Sequence, residues 1–272
     1  MRTSTLKRVA LTALAFILLV VWLVPVFWMA SSSLKTEKDI VSLKWLPAKA
    51  NLENFTLILS RAKLGRWFLN SVIVSVITTV SVVAISLMAG YSLSRADFPG
   101  RQFLFFFTLS GFMIPFQAIM IPIFLLLIKL HLNNSYAAII LPGLTSSISV
   151  LVIAQYMKGI DREYEEAARL DGANDLQILW HVMTPMTIPA IATIAILNFT
   201  GAWNNFLWPL IVAQTERMYT LQVGIFNLAT SDVNIRFGPV MAANVIATLP
   251  VFVLFFIFQE YLVKGMTIGD LK

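Results

Sequence analysis

The sequence predicts an all-α integral membrane protein with six transmembrane helices. Of its 272 residues, 58% are hydrophobic and only 12% are charged, which is about half the charged fraction of soluble proteins. Polar surface is too scarce to cover a soluble particle of this size. Uncharged stretches long enough for a helix to cross a bilayer, about 20 residues, recur along the chain. They are too long and too evenly apolar for barrel strands, which leaves α-helices.

Six stretches without Asp, Glu, Lys, Arg or His mark the predicted spans. We expect the spans at about residues 9–31, 67–93, 103–128, 136–157, 187–213 and 238–260. The first stretch is longer than the apolar core of a secretory signal, which favours a membrane anchor over a cleaved signal peptide. A further uncharged run at 218–231 is too short to span and is expected at the interface or in a loop. We expect residues 1–272 to form a single transmembrane domain.

The orientation of the spans is predicted from basic residues, which are enriched in cytoplasmic loops. If the N-terminus is cytoplasmic, the basic residues divide evenly between the two sides, so their count alone does not decide. The N-terminal tail carries Arg2, Lys7 and Arg8 without an acid, and the short turn at 95–101 is basic. Most of the opposing charges lie in one long loop, where the rule is weaker. We therefore expect an N-in, C-in topology.

Several function classes are disfavoured by what the sequence lacks. The predicted spans hold no ionisable side chain in their interiors, which argues against an ion-coupled carrier or pump. The sequence has no Gly-Lys dipeptide and therefore no P-loop for ATP. It has no cysteine, and His131 and His181 lie in different loops, so a metal site or a catalytic His is unsupported. The net charge of +6 comes from scattered residues, which does not indicate nucleic-acid binding. No cofactor and no enzymatic activity are expected.

A polar segment at residues 158–186, called the two-helix loop below, predicts two short helices between the fourth and fifth spans. Glu, Ala, Arg and Leu favour the first helix, in which Glu165 and Arg169 are spaced for an ion pair. Gly172 predicts the end of this helix, because glycine adopts the left-handed conformation most easily. Asn174 and Gln177 predict a capping box that begins the second helix. In the N-in topology this loop is cytoplasmic.

The second predicted helix has an apolar face, and the first has a face of small side chains. Four apolar residues recur at helical spacing: Leu176, Leu179, Trp180 and Met183. Pro185 and Pro189 predict a bend into the fifth span. The small Ala167 and Ala168 allow another protein to approach closely, and the surrounding acids offer charge pairing. The alternative is an amphipathic connector on lipid headgroups, although anionic lipid would repel the acids.

Amides and aromatic rings supply the polar content of the predicted spans, and they are densest in the fifth. Amides in lipid commonly bind neighbouring helices, and tryptophan is also common at the membrane interface. Amides beside aromatic rings also suit a neutral, hydroxyl-rich ligand. The candidate residues for a transport pathway are Trp203, Asn204, Asn205 and Trp208.

The two-helix loop resembles the signature segment of ABC-importer permeases. That segment reads Glu-Ala-Ala, three residues, Gly, nine residues and a tetrapeptide that ends in Pro. The matching residues are Glu166, Ala167, Ala168, Gly172 and Pro185. Other segments resemble the carbohydrate, maltose-type branch of that family, and together they extend over nearly the whole chain: 70–71, 95–101, 113–115, 121–122, 141–143, 203–210 and 263–267.

This resemblance implies the permease subunit of an ATP-driven importer that moves a sugar into the cytoplasm of a bacterium or archaeon. Its implied partners are a second homologous permease, two cytoplasmic ATPase subunits and an extracytoplasmic sugar-binding protein. The two-helix loop would dock on an ATPase subunit, with Glu166 facing a basic residue. The tail around Thr267, Gly269 and Asp270 is a second candidate contact. A permease for a non-sugar solute and a stand-alone channel or facilitator remain the alternatives.

Overall fold

A computed structural model describes residues 5–61, 63–230 and 236–267, and every regular element in these ranges is a helix. The first helices are α1 (Thr5–Ser33), α2 (Glu37–Val41) and α3 (Glu53–Arg61). They are followed by α4 (Leu64–Arg95), α5 (Arg101–Met113), α6 (Phe116–Lys129), α7 (Tyr136–Ile140) and α8 (Ser147–Lys158). The remaining helices are α9 (Glu163–Leu170), α10 (Asp175–Ile178), α11 (Thr184–Met186), α12 (Ile188–Trp203), α13 (Leu207–Val212), α14 (Leu221–Thr230) and α15 (Phe237–Thr267). The all-α prediction is confirmed.

Three helices of the described ranges are each long and apolar enough to cross a membrane alone. They are α1 over Lys7–Ser33, α4 over its full length and α15 over Phe237–Glu260. The most apolar part of α1 is not buried anywhere within the chain. A helix that is apolar on all sides belongs among lipids or other membrane helices. These helices lie where the first, second and sixth spans are predicted.

Three further apolar stretches are pairs of helices that meet at an angle. The bends are 94° between α5 and α6, 42° between Tyr136–Gly143 and α8, and 81° between Asp175–Met186 and α12. Each pair has the length and composition of one span, so the described residues provide three to six spans. The short helix α14 corresponds to the uncharged run that is too short to cross a bilayer.

Prolines account for two of these bends. Pro115 has no N–H and disfavours the helical conformation of Ile114, whose φ of −87° and ψ of 115° are extended. The expected helix at 103–128 is therefore wrong as one continuous element. The bend that Pro185 and Pro189 predict before α12 is confirmed.

The expected helix at 187–213 is also interrupted. It ends at Trp203, and α13 starts again at Leu207 after a short turn. Pro209 explains the break, because a continuous helix would need its missing N–H and would press its ring against the carbonyl group of Asn205. The turn lies within the segment that the sequence marks as richest in amides and aromatic rings.

One compact unit draws on residues of Met1–Gly65 and Gly224–Leu249. The Glu37 carboxylate accepts hydrogen bonds from the backbone N–H groups of Phe237 (2.8 Å) and Gly238 (3.2 Å), at the first turn of α15. A negative charge is favourable at this end of a helix. The Asn54 amide donates to the carbonyl oxygen of Ser33 at 3.0 Å. The segment that follows α1 therefore caps the start of the last helix.

A second unit draws on residues of Arg66–Val223 and Pro250–Lys272, and its apolar clusters include two large ones. The first joins α4, α6, α7 and α13, and its larger members are Val74, Leu127, Ile139, Trp208 and Val212. The second joins α4, α8, the two-helix loop and α12, and its larger members are Leu87, Tyr91, Ile153, Met157, Met183 and Ile194. The helix α4 contributes to both clusters. It therefore connects the two-helix loop with the region around Trp208.

Asn70 links α4 to two other segments of the second unit. Its side chain is fully buried, and its Nδ2 donates to the carbonyl oxygens of Arg217 (2.9 Å) and Tyr219 (2.8 Å). Its Oδ1 accepts a hydrogen bond from the Tyr136 hydroxyl at 2.6 Å. Polar bonds of this kind stabilise the packing of membrane proteins, because apolar contacts alone do not favour a neighbouring segment over lipid.

We expect Asn70→Ala to lower the free energy of unfolding by about 2–3 kcal/mol, because buried groups lose their hydrogen-bond partners. The control is Asn133→Ala, since that amide is exposed and its loss should change stability by less than about 0.5 kcal/mol. Denaturant unfolding of the purified protein in detergent, followed by tryptophan fluorescence, measures both. Equal losses in the two variants would contradict the role of Asn70.

Candidate docking site in the two-helix loop

The two-helix loop forms the turn that its sequence predicts. The helix α9 ends before Gly172, whose φ of 86° is left-handed. The side chain of Asn174 accepts from the Gln177 N–H at 2.9 Å, and the Gln177 side chain accepts from the Asn174 N–H at 2.9 Å. The helix stop and the capping box are both confirmed. Both features depend only on residues that are close together in the sequence.

The inner face of the loop is part of the second apolar cluster. Ile178, Leu179 and Met183 are buried almost completely. They pack with residues from three other helices: Leu87, Tyr91, Ile153, Met157, Ala190 and Ile194. The loop is therefore anchored to α4, α8 and α12 through its own core.

The apolar stripe predicted for the second helix is wrong as a single buried face. Leu179 and Met183 are buried, but Leu176 is 62% exposed and Trp180 is 42% exposed. The helix takes the wider π form just before Pro185, which has no N–H for an α-helical hydrogen bond. Only Leu179 and Met183 of the four residues therefore face the core.

The ion pair predicted between Glu165 and Arg169 is also wrong. Glu165 is buried, and its Oε1 lies 3.0 Å from Nε of Arg95, the last residue of α4. Arg169 is half-exposed and forms an ion pair with Asp175 instead. The hydrogen bond with Asp175 raises the pKa of Arg169. A buried carboxylate needs a paired cation to compensate for its lost hydration, and Arg95 provides that cation.

The outer face of the loop combines acids with uncovered apolar side chains. The predicted docking residues Glu166, Ala167, Gly172 and Pro185 are exposed, and Ala168 is half-buried against the core. Leu170, at the end of α9, is 90% exposed. Exposed apolar groups rimmed by charge are typical of a protein interaction site. The chemistry of this face suits a partner surface with an apolar cleft and basic residues.

The remaining predicted site residues lie elsewhere. Gly269 and Asp270 of the tail are outside the described residues, as is the side chain of Thr267. Trp203 is buried and stacks on Phe199, with ring centres 5.9 Å apart. Asn204 is exposed. Among the described residues, no group of three or more His, Asp or Glu side chains is placed to hold a metal ion.

Two predicted pathway residues, Asn205 and Trp208, line a cavity of about 320 Å³. Its other polar lining residues are Thr78, Thr145, Ser146 and Asn198. Asn198 donates from Nδ2 to Oγ of Ser149 at 2.9 Å. The cavity therefore carries amide and hydroxyl groups beside an indole ring.

Arg95 was not selected from the sequence as a site residue, and neither was Glu165. Both are visible there as a basic residue at the end of a predicted span and an acid in the following polar loop. Several other basic and acidic residues fit the same description. Spacing alone could not pair them, because α5 to α8 lie between the two residues in the sequence.

Residues 82–268 match a family model described as binding-protein-dependent transport system inner membrane component. The match extends over more than half of the chain, and the chain belongs to this family of multi-pass membrane proteins. The resemblance to ABC-importer permeases drawn from the two-helix loop is thereby confirmed.

Relatives and a solved structure match nearly the full length. The chain is 34% identical over 270 residues to the arabinooligosaccharides transport system permease protein AraQ of Bacillus subtilis (strain 168), covering 97% of this chain and 96% of AraQ. It is 32% identical to the trehalose/maltose transport system permease protein MalG of Thermococcus litoralis, covering 100% and 99%. A chain from the crystal structure of a bacterial ABC transporter involved in the import of the acidic polysaccharide alginate superposes with a TM-score of 0.85. The identity is 26%, and the coverage is 96% of this chain and 99% of that chain.

We expect Gly172→Ala to loosen the two-helix loop, because a Cβ at its positive φ is strained by about 1–2 kcal/mol even in open space. Gly159→Ala is the matched control, since Gly159 has a φ of −80°. Hydrogen–deuterium exchange of peptides from α9 and α10 measures the effect. Exchange should rise about tenfold in the first variant only. Unchanged exchange in Gly172→Ala would show that the turn does not depend on glycine.

Proposed function

We propose that this chain is the transmembrane permease subunit of an ATP-driven ABC importer that moves a sugar or oligosaccharide into the cytoplasm. The main support for this proposal is the structure of the two-helix loop. Its inner face packs in the core, and its outer face exposes apolar side chains. Family membership supports it. So do relatives named for arabinooligosaccharides and for trehalose and maltose.

In this proposal the working importer has five subunits of four kinds. A second homologous permease pairs with this chain, two ATPase subunits bind from the cytoplasm, and a sugar-binding protein delivers the solute from outside. The family description, which names binding-protein-dependent transport, supports the last of these. The sequence contains no P-loop, so hydrolysis of ATP belongs to the partner subunits.

The proposed topology has six spans, with each bent helix pair counted as one, and both termini in the cytoplasm. The whole chain, 1–272, forms one permease domain in the plasma (inner) membrane of a bacterium or archaeon. The lengths and compositions of the apolar helices and helix pairs support this count. The two-helix loop and the end of α4 then lie on the cytoplasmic side, where ATP is available.

The two-helix loop serves as the docking site for an ATPase subunit. Glu166 lies on the exposed side of α9 and pairs with a basic residue of the partner, while Ala167 allows close approach. Leu170 enters an apolar cleft. Closure of the ATPase pair on ATP moves the loop, and the anchored spans follow as a rigid body. This rotation opens the pathway towards the binding protein and gives alternating access.

We expect Glu166→Lys to abolish co-purification of the ATPase and to reduce sugar uptake by about a hundredfold, because the substitution sets like charges against each other at the contact. Asp97→Lys is the matched control: it makes the same charge change at a fully exposed residue in the turn after α4. Affinity purification from membranes and uptake of labelled maltose and arabinose oligosaccharides measure both. Full assembly and uptake with Glu166→Lys would contradict the docking role.

The pathway for the sugar includes the cavity beside α13. Its amide and hydroxyl groups match the hydroxyl groups of a carbohydrate, and the Trp208 and Phe116 rings offer apolar surface. Asn205, in the turn between α12 and α13, contributes an amide to the cavity lining. Trp203 and Asn204, the other predicted pathway residues, do not line the cavity.

We expect Asn205→Leu to raise the KM for sugar uptake by roughly fivefold to tenfold, because it removes one hydrogen-bonding group from the pathway. The adjacent and exposed Asn204 provides the control, since Asn204→Leu should leave KM unchanged. Initial uptake rates over a range of maltose and arabinose oligosaccharide concentrations distinguish the two. An equal rise in both variants would place the effect on folding and not on the cavity.

A further inference from the structure

We infer that Arg95 is a positioning residue that fixes the two-helix loop to the membrane helices, so that movement of the loop becomes movement of the spans. The inference rests on the proposed function, in which an ATPase subunit moves the loop. It concerns a buried ion pair on the inner side of the loop, opposite to the exposed face where the ATPase docks.

One guanidinium group joins three helices. Arg95 is the last residue of α4, and its Nε lies 3.0 Å from Oε1 of Glu165 in α9. Its terminal nitrogen donates hydrogen bonds to the carbonyl oxygens of Met157, in the last turn of α8, and of Ile160, just after it. The side chains of Arg95 and Glu165 are only 4% and 9% exposed. The loop is thereby bound by charge to two spans at once.

Arginine suits this position for a chemical reason. Its planar group offers five donors, so it can bind a carboxylate and two carbonyl oxygens together, whereas lysine offers a single charged centre. The carbonyl groups at the C-terminal end of α8 carry partial negative charge, which a cation stabilises. Glu165 in turn needs a buried cation, because an unpaired carboxylate in this position would be strongly unfavourable.

The two spans that Arg95 joins are themselves in close contact. A Cβ at Gly90 of α4 would lie 2.6 Å from the Ile153 side chain and 3.0 Å from the Ala154 backbone of α8. Protein cores packed this closely do not deform gradually. A displacement of α9 that acts through Glu165 is therefore transmitted to α4 and α8 together.

Loss of the ion pair should separate assembly from transport. The buried Ile178, Leu179 and Met183 would still hold the second half of the loop in the core. The exposed face of α9 would still carry Glu166 to the ATPase. However, α9 would move without moving α4 and α8. We therefore expect hydrolysis of ATP to continue while fewer sugar molecules are imported for each ATP consumed.

The test uses the complete importer, with binding protein and ATPase, in proteoliposomes that contain wild-type permease, Arg95→Gln or Arg101→Gln. Arg101, the first residue of α5, is the matched control, because its ion pair with Asp97 lies at the surface a few residues after Arg95. We expect the ATP consumed per sugar imported to rise about tenfold in Arg95→Gln and to stay unchanged in Arg101→Gln. The ATPase should co-purify in normal amount with all three. An unchanged ratio in Arg95→Gln would overturn the inference.

A second variant and a second measurement test the inference if Arg95→Gln does not insert into the membrane. Glu165→Gln removes the same pair while it keeps the size of the side chain, and its ATP-to-sugar ratio decides if Arg95→Gln fails to insert. Hydrogen–deuterium exchange of α9 in the purified permease should rise about tenfold in both variants and not in Arg101→Gln. Unchanged exchange would overturn the inference even if no ATPase binds the wild-type chain. Failure of the ATPase to bind the wild-type chain would count against the proposed function and not against the role of the ion pair.

Discussion

Pairing of buried polar groups holds this chain together, because apolar contacts alone do not distinguish a neighbouring helix from lipid. Asn70 binds two backbone carbonyls and a tyrosine hydroxyl, and the Trp208 indole donates to the carbonyl oxygen of Ala138 at 3.0 Å. Arg95 binds Glu165 and the end of α8. In each case one side chain joins segments that are distant in sequence.

The two-helix loop shows how adjacent residues take opposite roles. Glu165 points into the core and pairs with a cation of the same chain, while Glu166, one residue later, faces outward. The helical rotation between neighbouring residues is enough to separate them. A loop that is fixed on one side and open on the other can transmit a displacement, whereas a loop that is open on both sides would absorb it.

Local features of the sequence predicted the local structure well. The stop at Gly172 and the capping box of Asn174 depend on a few neighbouring residues, so their pattern was sufficient. The partner of Glu165 could not be predicted, because it depends on which span lies beside α9 in three dimensions. The break before α13 was missed for another reason. An uncharged composition indicates that a segment can lie in the membrane, but it does not show whether the helix is continuous. Pro209 was therefore included in the predicted span.

The cap formed by Glu37 has a consequence for the biogenesis of the protein. Its partners, the N–H groups of Phe237 and Gly238, are synthesised about two hundred residues later. The carboxylate must therefore remain hydrated outside the membrane until almost the whole chain has left the ribosome. The contact between the start of the last helix and this acid can form only then, so a truncated product that lacks the last helix would also lack this contact.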